Sequence, residues 1–559
     1  MRATLPARPE PTPPDRPTGG MPVSHGRIPA SPGHVWIRTY RHHLRLLRST
    51  ALAWTVVLSG VGAGVVTTFE DRVPTVTAQA AADALEGVPA FEALFGRFVR
   101  PGSLEGFVLA RWTGMFALFV AVWGMLAATK LLRGAEEAGH AEPLRSGALS
   151  PRGLLAAAVA AMLTWFAVFA VAVGASHHAT GMDGATSWAL GGTMGLLAAS
   201  FAGVGTLTSQ LAATHRRATQ LAAAVLAAAL ALRVLAASTV TPDWVWWTTP
   251  LGWIGFLHEA DSSRSTVFAA FALTLLVLLG AAFAAAHRDL HTGIIADDGT
   301  TRRRRPVGGQ LGLTVRSSAA AVGGWTAAVA TVTLVFCLLA DDFVAVVADS
   351  EATAVYERMG YTALHTPEGF VALVLGWFLV IGTALFAAAQ VAAIREEEWT
   401  WRIEHLLVRP VGRRCWLATR TLAAAAGVTM LAAAVSIAVW VGTALGGTAL
   451  DAGDALLAGV NLIPAAWLVL GVGILLFGLI PRLSAPLTYG AVIGAYLLDF
   501  VGPLLDLPDV VLDASPFRHL AEVPVADLDV SAAVIMLGIG ALAAVVGILA
   551  FHLRDLQEA

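Results

Sequence analysis

The side chains of this chain that could do chemistry together are gathered in two short charged segments, one in each half of its 559 residues. The first runs KLLRGAEEAGHAEPLRSGALSPRGLL, Lys130 to Leu155, and the second AAIREEEWTWRIEHLLVRPVGRRCWL, Ala392 to Leu417. At a constant offset of 262 residues Arg133 falls on Arg395, Glu136 on Glu398, Glu142 on Glu404, Leu144 on Leu406 and Arg152 on Arg414. Carboxylates and guanidinium groups at this density make strong charge-assisted contacts. The segments carry neither metal-ligand spacing nor a nucleophile paired with a base, so they read as surfaces that receive work from a partner. A matching segment in each half suits a partner that is itself two-fold symmetric.

The second copy shows its local structure more clearly. On a helix starting at Arg395, the residues Trp399, Ile403, Leu406 and Leu407 form one apolar stripe at helical spacing. Glu396, Glu397 and Arg409 lie off that stripe, and Glu398 can pair with Arg402 at i,i+4. Pro410 and Gly412 then end the helix, and Arg413-Arg414 mark the return to the membrane surface. Acid at the start and base at the end both suit the helix dipole. In the first copy Pro143, beside Leu144, removes a backbone donor, so that helix is expected to be shorter or kinked and its contacts weaker.

These segments sit among long apolar runs. Hydrophobic residues make up 56% of the chain, charged residues 13%, and mean hydropathy is +0.69, against roughly 25% charge in a soluble domain. Runs long enough to cross a bilayer fall at about 50–68, 108–131, 154–175, 187–212, 218–239, 265–286, 318–340, 369–394, 418–446, 455–480, 485–504 and 531–551. Twelve spans imply an all-α polytopic membrane protein. The Leu-Glu-Gly-Phe-Val at 104–108 answers Pro-Glu-Gly-Phe-Val at 367–371, Thr249-Pro250-Leu251 answers Ser515-Pro516-Phe517, and Arg288-Asp289-Leu290 answers Arg554-Asp555-Leu556. The spans therefore form two parallel six-helix repeats, 50–290 and 317–559, joined by a linker at 291–316. Residues 1–33 read as a disordered tail, and 34–49 as a basic helix in the membrane interface or simply a charged flank that sets topology. With the N-terminus inside, 28 of the 36 basic residues fall in inner segments, which places both termini and both charged segments in the cytoplasm.

Several chemistries are missing. Lys130 is the only lysine and follows no phosphate-cradling glycine loop. Cys337 and Cys415 lie at different depths, and the His42-His43 and His177-His178 pairs lack acidic or thiol companions at metal spacing. No module for nucleic acid is evident. Inside the spans, Arg233 and Asp499 occupy pseudo-equivalent positions with opposite charge. Ionisable groups at membrane depth face a partner or a wet cavity, so the two are expected either to pair near the pseudo-two-fold axis and close the outer end, or to reach outer water separately.

The run EEEWTWRIEHLLVRPVGRRCWL resembles the E-E-x-x-G-R-x-E-x-L-L-x-x-P-[VL]-x-R-x-x-W segment of bacterial ABC-2-type permeases. It is most similar to the double-length actinobacterial permeases associated with export of polyketide antibiotics. The likeness covers most of the chain, including the outer loop after the first span, the Glu-Gly-Phe starts of spans two and eight, and the Arg-Asp-Leu endings. Trp399-Thr400-Trp401 departs from the usual small or Gly-containing run. The resemblance implies an ABC-2, type V exporter-like fold and a partner: two copies of a separate ABC ATP-binding subunit, which hold the ATP and Mg, with no cofactor in this chain. It further implies coupling positions at Glu396, Glu397, Glu398, Arg402, Glu404, Leu406, Leu407 and Pro410, and at Glu136, Glu137, Glu142 and Leu144 in the first half. The implied cargo is a hydrophobic or amphiphilic small molecule moved out across the bacterial plasma membrane. An ion-coupled carrier and a membrane enzyme acting on lipid-linked substrates are the competing readings.

Overall fold

The structure, a computed structural model, describes residues 32–554 apart from 70–74, 84–85, 87–91, 93–95, 98, 140–148, 238–240, 259–260, 288–292, 296–308, 339, 342–343, 345–365, 400–411, 448–449 and 503–506. Among the described residues every regular element is helical. Six helices make the first half: α1 Pro32–Thr67, α2 over 104–137, α3 Pro151–Ala179, α4 Gly184–Leu211, α5 His215–Ala236 and α6 Asp261–Ala285. The second half repeats them as α7 Gly309–Leu338, α8 over 367–399, α9 Arg413–Leu445, α10 Ala452–Leu479, α11 Pro481–Val501 and α12 Val530–Leu553. Ten of these are long and apolar enough by themselves to cross a membrane; α8 and α11 complete the set in register with the expected spans.

The basic segment 34–49 is not a separate interfacial helix. It forms the first turns of α1, which runs unbroken for 36 residues. Those turns pack on α3: Tyr40 Oη meets Thr164 Oγ1 at 2.9 Å, and Trp165 Nε1 donates to the Leu44 carbonyl at 3.1 Å.

Small residues set the helix spacing, as expected where lipid gives helices no hydrophobic reason to associate. A Cβ on Gly471 would stand 2.0 Å from the Gly540 carbonyl, and one on Gly478 would stand 2.3 Å from the Gly547 carbonyl. The two pairs, each seven residues apart, bring α10 and α12 into backbone contact. In the first half Gly124 does the same against Ala198 of α4, and Gly191 against Ala170 of α3.

Helices α2 and α8 start alike. Ser103 and Thr366 accept the backbone N–H of Gly106 and Gly369 at 3.1 Å each, a serine or threonine cap satisfying donors that the helix leaves open. Each then contains a π-helical turn near its start, Leu109–Thr113 and Leu375–Leu379. The halves meet through Phe119 of α2 and Tyr496 of α11, whose rings lie 6.3 Å apart, and through the charged end described next.

Candidate functional site: the braced roots of the two charged segments

Each charged segment leaves the bundle from the end of a long helix, α2 or α8, and in both halves that end is pinned by buried ionic contacts. In the first half a second π-helical turn, Lys130–Gly134, carries Arg133. The extra residue per turn re-aims the side chain, and Arg133 is fully buried. Its Nη1 pairs with Glu136 at 2.9 Å, and its Nη2 donates to the Ala213 carbonyl in the turn between α4 and α5. Next to it, Glu137 accepts the backbone N–H of His215 at 2.7 Å. That contact satisfies an open donor at the start of α5 and puts a carboxylate at the positive end of its dipole. Gly134 lies under the His215 ring, where a Cβ would come within 3.2 Å of Cδ2.

In the second half Glu397 pairs with Arg420 of α9, Nε to Oε2 at 2.9 Å with a second contact through Nη2. The same guanidinium reaches Ser317 of α7 at 3.0 Å. Glu398 is gripped by both terminal nitrogens of Arg554, at 2.8 and 2.7 Å. Arg554 also lies 4.9 Å from the ring centre of Phe551 and 5.2 Å from that of Phe477, and its carbonyl accepts from Arg413 at 2.9 Å. Arg152 makes the matching contact in the first half, donating to the Phe283 carbonyl at the end of α6 at 3.2 Å. So each segment's root is tied to the helices that begin and end at this face.

The two roots also sense each other. His215 lies in the electrostatic field of Glu137 from its own half and of Glu396 from the other, with Lys130 and Arg133 opposing them. Charge from both halves therefore acts on one imidazole.

The sequence reading assigned Glu136, Glu137, Glu396, Glu397 and Glu398 to a docking surface. The structure places Glu136, Glu397 and Glu398 in internal ion pairs and Glu137 on a helix start. Glu398 takes Arg554, 156 residues away, as its partner. Glu142, Leu144, Arg402, Glu404, Leu406, Leu407 and Pro410 lie outside the described residues. Arg133, His215, Arg420 and Arg554 were missed as site residues, although the repeat itself had flagged Arg133 and Arg554.

The proposed outer charge pair is not formed. Arg233 is buried in α5 and donates to the Gly114 carbonyl of α2 at 3.2 Å, against Gly96. The charged neighbours of Asp499 are Arg518 and His519 in the loop before α12. Pseudo-symmetry relates the two positions, but Arg233 bonds to Gly114 and Asp499 lies in the field of Arg518 and His519, each within its own half.

Twelve helices in two matching halves, with their charged roots braced at one face, define the class: a polytopic all-α membrane protein built by duplication. Comparison with known proteins agrees. The family described as "Multidrug efflux system permease Rv1217c, C-terminal domain" matches the chain twice, over residues 42–287 and 307–552. The multidrug efflux system permease protein Rv1217c of Mycobacterium tuberculosis is 31% identical over 532 residues, spanning 92% of this chain and 94% of that protein. The chain belongs to this family of multidrug efflux permeases.

Proposed function

We propose that the chain is the membrane subunit of an ATP-driven exporter that moves hydrophobic or amphiphilic compounds outward across the bacterial plasma membrane. Two copies of a separate ABC ATP-binding subunit bind and hydrolyse ATP with Mg, and both termini face them from the cytoplasm. The observation that carries this reading is the pair of braced roots. Each segment that would dock on an ATPase emerges from a helix end held by buried ion pairs, Glu136–Arg133 in one half and Glu398–Arg554 in the other. Such an end transmits a push to its whole helix without yielding first. The charge of Glu396 on the second root acts on His215 at the first, which supports a joint response of both halves when the two ATPase copies draw together. Helices α2 and α5 then shift against α8 and α11, and the cargo's path alternates between inner and outer access.

Co-expression with an ABC ATP-binding subunit from the same genome, followed by reconstitution into liposomes, tests this. ATP should drive movement of a fluorescent amphiphile, and a Walker-lysine variant of the ATPase should abolish it. Transport by the chain alone under a proton or sodium gradient would refute the proposal in favour of an ion-coupled carrier.

A further inference from the structure

The first turns of α1 carry four arginines, Arg38, Arg41, Arg45 and Arg48, all exposed. At 100° per residue they fall within an arc of about 80° and climb about 15 Å along the helix. Among the described residues no carboxylate pairs with them. The opposite face is fixed: Thr39 and His43 are buried, and Tyr40 and Leu44 are held by Thr164 and Trp165 of α3. The arginine face therefore cannot turn inward. Directly above it on the same helix face are Leu52 and Val56, 44% and 69% exposed. A cationic ladder thus continues without a break into an open apolar strip.

Among the described residues the corresponding helix of the second half carries no such ladder. By the 265-residue offset between the two family matches, Arg45 and Arg48 correspond to Gln310 and Leu313 at the start of α7. Leu311, Leu313 and Val315 are exposed there instead. Among the described residues the ladder therefore belongs to α1 and has no counterpart on α7.

We propose that this face of α1 is a binding site for an anionic phospholipid. Guanidinium forks match the phosphate in bidentate fashion, with Arg45 and Arg48 at headgroup level and Arg38 and Arg41 reaching substituents beyond it. The acyl chains lie along Leu52 and Val56. Because α1 packs on α3, whose start also carries Arg152 bound to α6, the lipid anchors the inner rim of the first half. The proposal rests on the chain being a membrane protein and is independent of what it transports.

The test is lipid retention measured by native mass spectrometry on the full chain, released from nanodiscs of equal phosphatidylcholine and phosphatidylglycerol. The wild type should retain phosphatidylglycerol selectively. The R38Q/R41Q/R45Q/R48Q variant should lose that selectivity by about tenfold or more, each cationic side chain at an anionic surface contributing measurably to binding. Equal loss of four arginines from the linker, R302Q/R303Q/R304Q/R305Q, should leave it in place. If the ladder variant does not fold, R38Q/R41Q and R45Q/R48Q serve separately, and each should lose part of the selectivity. Unchanged retention in the folded ladder variants, an equal loss in the linker variant, or displacement of the lipid by millimolar inorganic phosphate would each overturn the proposal.

Discussion

Replacing Glu398 with glutamine should loosen the root of the second charged segment, and the size of the effect follows from its surroundings. Glu398 is 7% exposed and accepts two short bonds from Arg554. Removing one charge of a buried pair costs about 3–5 kcal/mol, because the partner is left uncompensated. The lower end applies here: the Phe551 and Phe477 rings still lie against the guanidinium, and the glutamine oxygen can keep one bond. About 3 kcal/mol corresponds to an opening equilibrium shifted on the order of 100-fold. Hydrogen exchange should report it as that loss of protection in the last turns of α8 and α12, with α3 unchanged. Glu398→Gln combined with Arg554→Gln leaves no buried charge and should recover most of the protection, to within about tenfold of wild type. Wild-type protection in the single variant, or simple additivity in the double, would refute the assignment of this pair as a brace. In the assembled transporter the single variant should also hydrolyse ATP with less transport per turnover.

Further outcomes follow from the same structure. Gly471→Ala forces a Cβ to within 2.0 Å of the Gly540 carbonyl and should cost about 1–3 kcal/mol, visible as a lowered melting temperature in detergent. Gly490→Ala, where nothing lies within 4 Å, should leave that temperature unchanged. Between α1 and α2, burial pushes the Glu92 carboxyl up from its ordinary 4.5 to about 7; Arg97 pulls it back, and Asp243 and Glu86 push it further. The folded loop then holds its proton more tightly than the unfolded chain, so this contribution is complete below pH 4.5 and is lost as pH rises towards 7. Glu92→Gln should flatten that decline and stabilise the loop at pH 8 by up to about 3 kcal/mol, measured by pH-dependent thermal unfolding. Exchanging the charges of Arg233 and Asp499 should not rescue either single variant in a transport assay, since each side chain has its neighbours in its own half. Rescue would restore the pairing across the axis.

Much of this arrangement was legible in the sequence, for identifiable reasons. Apolar runs of membrane length report desolvation directly, and a helix lies over each of the twelve runs, ten of them long and apolar enough to cross a membrane. The helices run past the ends of those apolar stretches because a change from apolar to basic residues marks a change of solvent, not of backbone. Nothing between His34 and Ser59 breaks a helix, so α1 continues through its arginines. The duplication located the charged segments, yet their ion pairs could not be read. Glu398 and Arg554 are 156 residues apart, and helical periodicity offered Arg402 as the nearer partner. In sequence the Arg-Asp-Leu endings mark only the repeat, yet Arg554 of the second supplies the clamp. Arg233 and Asp499 show the opposite error. Positions related by pseudo-symmetry touch only if they lie beside the axis, which sequence alone does not report.

The central claim is that this permease is driven from one face, through both charged segments, by a nucleotide-powered partner. Cysteine cross-linking tests it most directly: Glu142→Cys and Glu404→Cys, one in each half, probed in membranes holding the chain and a co-expressed ABC ATP-binding subunit. Both positions should cross-link to that ATPase, and trapping ATP should change the yield at each. Cross-links to no ATPase at either position, in membranes that still transport, would contradict the account.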